Sequence, residues 1–136
     1  MFELFEHTAD LGLRVRADSL EELLTEAARG LLAMLVANPE AVNAVHTKTI
    51  ALPAEDPTYL LFDWLSELLY AFETDKLLLW EFDLRIEGNQ LTATCRGEAM
   101  DASRHRMEHE VKAITYHGLR LEQTAGGWFA EIIVDI

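Results

Sequence analysis

At 136 residues, half of them hydrophobic, the chain is long enough for one domain to bury a core without disulfides or a structural metal. Its 24 acidic residues against 11 basic ones leave a formal net charge of −13, which rules against tight, direct nucleic-acid binding, because that affinity comes from lysine and arginine neutralising phosphates. The single cysteine, Cys95, excludes an internal disulfide or a multi-cysteine zinc cluster and fits a reducing cytoplasm; no apolar run reaches membrane-spanning length, and the opening residues lack the basic start and long apolar core of a signal peptide.

Residues 3–6 read as a short strand, and 11–17 as a second, whose period of two sets Leu11, Leu13 and Val15 against Arg14 and Arg16. Between them lies Glu6-His7-Thr8-Ala9-Asp10-Leu11-Gly12, which packs two carboxylates and an imidazole into a connection that a Gly-Asn pair could make. Ser19 and Glu22 form a capping box that opens a helix. Leu20, Leu23, Leu24, Ala27, Leu31, Met34 and Leu35 recur along it at helical spacing, and Asn38-Pro39 ends it.

The alternating segment 47–52 predicts a strand. Asp56-Pro57 marks a second helix start, aspartate as N-cap and proline where no amide hydrogen is needed. Apolar side chains from Tyr59 through Trp64 to Phe72 cover so much of this helix that it is expected to be the more buried of the two, with Trp64 in the core. A strand over 77–87 turns at Gly88-Asn89 into a partner over 91–97. A polar connection over 98–110 follows, and strands over 111–122 and 128–136 make a last hairpin around Gly126-Gly127. The fold expected is a single α+β domain over 1–136: two layers, with two main helices on one face of a largely antiparallel, mixed sheet.

Three histidine patterns carry little chemistry. His105-Arg106-Met107-Glu108-His109 matches the H-x-x-E-H zinc-protease pattern, but a strand begins too soon for the helix it requires, so these read as solvated loop residues. His46 is isolated, and His117 reads as packed in or beside the core. No nucleophile elbow or phosphate-binding glycine loop is present. From spacing alone Lys112 points to solvent or pairs with Glu110.

The two ends of the chain are more informative together. Asp135 is followed at once by the carboxylate of Ile136. If both ends share one sheet, Asp10 meets these groups in an oxygen-rich cluster that repels itself unless a lysine or a hard divalent cation compensates it.

With both ends read, the chain resembles the archease family over essentially its whole length. The matching segments are Phe5-Glu6-His7-Thr8-Ala9-Asp10-Leu11-Gly12, the helix start Asp18-Ser19-Leu20, Glu110-Val111-Lys112-Ala113-Ile114-Thr115-Tyr116-His117, and Val134-Asp135-Ile136. The resemblance implies an activator with no catalytic residues of its own. Archeases assist the tRNA-splicing RNA ligase that works through a guanylylated histidine, promoting guanylylation and multiple turnover and broadening nucleotide use. It further implies a divalent metal, calcium ahead of magnesium or manganese, held by Asp10, Asp135 and Ile136, with Lys112 as the functional lysine. His7 belongs to the motif as a ligand or as a positioner of the loop. Two other classes compete: a metal-independent binding module or chaperone for a nucleic-acid-modifying enzyme, and an autonomous metal-dependent hydrolase with His7 as base.

Overall fold

The computed structural model describes residues 1–7 and 9–136, with His7 described through its main chain alone. Strands β1 (Phe2–His7) and β2 (Asp10–Ala17) pair antiparallel from Phe2↔Val15 to His7↔Asp10. Helix α1 (Leu20–Leu35) starts at Ser19, whose hydroxyl accepts the Glu22 amide at 3.1 Å. Glu22 returns the contact to the Asp18 amide at 3.4 Å, one residue earlier than in the usual capping box. After β3 (His46–Pro53), α2 (Pro57–Asp75) opens as expected, the Thr58 amide donating to the Asp56 carboxylate at 3.0 Å.

Strands β4 (Leu77–Glu87) and β5 (Gln90–Ala99) form the hairpin read from the alternation, with Gly88 at φ +59° in its turn. The final edge differs from expectation. Where one strand over 111–122 was predicted, two short ones stand, β6 (Ala113–Ile114) and β7 (Arg120–Thr124), both on the same side of β8 (Gly127–Asp135). Residues 115–119 leave the ladder between them, helped by Gly118 at φ +64°, a backbone that glycine adopts at little cost.

The α+β class is borne out, two helices on antiparallel sheets, but the strands divide between two sheets where one was pictured. The first runs β1-β2-β8, with β6 and β7 in line along the far edge of β8; the second runs β3-β5-β4. Helix α1 touches β1, β2 and β8 of the first sheet, β4 of the second, and α2. It therefore buries nine of its sixteen residues, against seven of nineteen for α2. The expectation that α2 is the more buried helix is overturned: α1 lies on the central strands of the first sheet, while α2 meets that sheet only at the edge strands β6 and β7 and turns one flank outward. Leu13 and Val15 of β2, Leu23, Leu24 and Met34 of α1, and Trp64 of α2 are at most 1% exposed. The Trp64 indole donates to the Leu24 carbonyl at 2.9 Å, so the core tryptophan meets its polar requirement inside.

Candidate functional site

The residues singled out at the two chain ends lie in one row across the first sheet. His7 closes β1 opposite Asp10, which opens β2. Strand β2 then pairs with β8 in a register whose last step is Leu11↔Val134, so the next position outward sets Asp10 beside Asp135. Asp135 in turn pairs with Ala113, and its carbonyl accepts the Lys112 amide at 2.7 Å. His7, Asp10, Asp135 and Ala113 thus stand on four adjacent strands, with Lys112 and Ile136 one residue further out.

Strand pleating decides which way these groups face. Leu11, Leu13 and Val15 are buried on the face that α1 covers, so Asp10, Gly12 and Arg14 take the opposite face, and Asp135 shares it. Asp10 is half-buried and Asp135 exposed. Lys112 borders the helix side, lining an open depression of about 320 Å³ with Glu110, Val111, and Phe72, Glu73 and Lys76 from the end of α2. Its exposed position directly before β6 replaces the expected place within a strand. The main chain therefore gathers the five candidates, while the lysine approaches from the other face of the sheet.

Among the described residues, no three His, Cys, Asp or Glu side chains are grouped to hold a metal ion. A cation at this row would draw instead on two aspartates and a main-chain oxygen of Ile136, an all-oxygen set of the type a hard divalent ion takes and calcium tolerates in irregular geometry. The donor chemistry fits such an ion.

The histidines outside the row depart from expectation in two cases. His105 is not a solvated loop residue: it is 2% exposed. Its Nδ1 accepts the Asp101 amide at 2.9 Å, so the proton sits on Nε2, which donates to the Glu98 carboxylate at 3.1 Å. Glu98 also receives Arg104 and, at 2.7 Å, the Asn43 amide. The Arg104 hydrogen bond leads in holding the Glu98 carboxyl down at about 2, against the upward push of burial. His105 follows a turn over 102–104, and after it Met107 is bridged to Val36 and the Glu108 and His109 amides sit on the last carbonyls of α1. No H-x-x-E-H helix exists there, and the polar cluster is a structural clasp. His117, expected in or beside the core, lies exposed in the turn between β6 and β7. His46 opens β3 and is exposed.

Sequence reasoning missed the clasp because Glu98 and His105 are joined by no local periodicity. It also missed Tyr116, whose ring stacks on Phe62 at 3.9 Å and 9°.

Comparison with known proteins agrees with this architecture. The model of the Archease protein family (MTH1598/TM1083) matches residues 2–136. Protein archease of Methanosarcina mazei is 38% identical, over 99% of this chain and 95% of its own length, and protein archease of Methanopyrus kandleri is 39% identical, over 99% of both. The solution structure of Methanobacterium thermoautotrophicum protein 1598 superposes with a TM-score of 0.87 at 32% identity, covering 99% and 98% of the two chains. The crystal structure of a Thermotoga maritima archease, described as a possible chaperone, gives 0.69 at 26% identity, covering 98% and 96%. With the family model spanning nearly every residue and relatives at this identity matched end to end, the chain belongs to the archease family.

Proposed function

We propose that this protein is a cytoplasmic activator of the tRNA-splicing RNA ligase, promoting guanylylation of the ligase's histidine and its multiple turnover, and widening the nucleotides it accepts. The reading rests on family membership, and one observation supports it above others: Asp10 and Asp135, 125 positions apart in the chain, open and close neighbouring strands at one sheet end. Asp10, Asp135 and a main-chain oxygen of Ile136 would hold a divalent cation, calcium ahead of magnesium or manganese. When bound, that ion supplies positive charge to nucleotide phosphates.

The chain's own residues complete the arrangement. Lys112, exposed on the helix side of the same end, brings an ammonium toward phosphate oxygens. His7, across the hairpin from Asp10, closes the row on its other side and either joins the ligand set or fixes the loop. The charge of −13 suits docking on a ligase surface that must itself be basic to attract RNA and nucleotide.

Multiple-turnover ligation by the ligase of the same organism tests this. Asp10→Ala, Asp135→Ala and Lys112→Ala are each expected to cut the stimulation at least about tenfold with an unchanged circular-dichroism spectrum, and a calcium chelator is expected to act on the wild type alike. Stimulation that survives all four treatments contradicts the reading. A metal-independent chaperone is the second reading, favoured by the lack of three grouped acidic or histidine side chains among the described residues; it predicts indifference to the chelator.

A further inference from the structure

The outer flank of α2 carries large rings that the core does not use. Tyr59 and Tyr70 are 57% and 62% exposed. Eleven residues apart on a helix of 3.6 residues per turn, they fall within about 20° of one another. Tyr116, 57% exposed, joins them from the excursion between β6 and β7, its ring flat on Phe62 and edge-on to Tyr59 at 6.2 Å and 73°. Its inner face is thereby fixed and its outer face open. Rings ordered in advance give up little conformational freedom when a partner covers them.

The charge around these rings says what would cover them. Residues 55–75 contain six acidic side chains and no lysine or arginine. Asp63 and Glu67, both exposed, sit four and eight residues beyond Tyr59 on the tyrosine flank. Elsewhere the protein sets its own cations over several rings: Arg14 lies 3.9 Å from the Phe5 centroid, Arg16 4.5 Å from that of the buried Phe129, and Arg29 5.1 Å from that of Trp80. Tyr59, Tyr70 and Tyr116 have no such cation among the described residues.

An arginine suits this surface doubly, since its planar guanidinium stacks on a tyrosine face while its N–H groups reach a neighbouring carboxylate. Nucleic acid and anionic membrane are repelled by the same six carboxylates, and a second copy of the chain brings like charge. We infer that the tyrosine flank of α2, with Tyr116 stacked at its start, is a docking surface for an arginine-rich protein surface, that of the ligase. This rests on the function proposed above and adds where the contact lies.

The test is the affinity of the full-length protein for the purified ligase of the same organism, measured by interferometry at low and at high salt. The pairs Y59A with Y116A and D63K with E67K are each expected to weaken binding by about tenfold or more, and the charge reversal is expected to flatten its salt dependence. D83K, on an exposed position of β4 in the other sheet, is expected to bind as wild type does. Calcium affinity and the circular-dichroism spectrum of the tyrosine pair, measured without ligase, are expected to stay at wild-type values, with a thermal midpoint lowered by only a few degrees for the lost ring stack, which separates a lost contact from a lost fold. If wild-type protein binds and both pairs bind equally well, the surface is wrong and the functional reading survives. If the wild type does not bind the ligase at all, both are overturned.

Discussion

Glu98 carries the clearest single-residue consequence. Its carboxyl is held at about 2, against an ordinary 4.5, chiefly by the Arg104 hydrogen bond. A carboxylate whose folded pKa is depressed contributes stability that is fully present above its unfolded pKa and is lost as the pH falls toward the folded one. Glu98→Gln is therefore expected to be less stable than wild type at neutral pH and to show a shallower loss of urea resistance between about pH 4.5 and pH 2. Parallel acid limbs for the two proteins would contradict the clasp. Cys95 shows the opposite environment: burial pushes its thiol up to about 12, with Lys48 pulling weakly the other way. The native protein is expected to resist thiol alkylation until it is denatured. The burial of Cys95 follows the alternation of its strand, where Leu91, Ala93 and Cys95 share the inner face. The clasp was not legible in the sequence, because its partners come from β5, the connection after it and the turn before β3, and only the folded chain brings them together.

Among the elements, those governed by local chemistry were the readable ones. Ser19, Asp56 and Pro57 announce helix starts whose hydrogen bonds the structure contains, and the alternation from Trp80 to Glu87 marks the outer part of β4. Ser19→Ala is expected to cost about 1 kcal/mol and to lower the thermal midpoint by about 4 °C, as read by calorimetry. What stayed hidden depends on neighbours. Helix α1 is more buried than α2 because it packs on the central strands β2 and β8 of the first sheet, where α2 meets only the short edge strands β6 and β7, which the count of apolar residues along either helix cannot reveal. The edge along β8 breaks because residues 115–119 bend out to set Tyr116 on Phe62, a contact with a distant helix. Gly97 of β5 marks a similar close approach, since a side chain there would run into the Leu78 carbonyl. Gly97→Ala is expected to destabilise the protein by about 3 kcal/mol or more, measured by urea unfolding.

For the whole molecule, charge and connectivity act together. At −13 the protein is expected to cause no mobility shift of tRNA at physiological salt, and a salt-sensitive shift there would overturn the charge argument. The meeting of the chain ends was legible only as a possibility conditional on a shared sheet. β8, the last strand, pairs with β2 and so supplies that condition; no residue near either end encodes the pairing by itself. Aromatic exposure on α2 was unreadable for the converse reason, since Tyr59 and Tyr70 look like core residues by type. Calcium titration of the isolated protein by calorimetry tests the central claim most directly. One site is expected in the wild type, with the heat lost in both Asp10→Asn and Asp135→Asn while each variant keeps its fold; undiminished calcium binding by the double variant would contradict a cation held between the two ends of the chain.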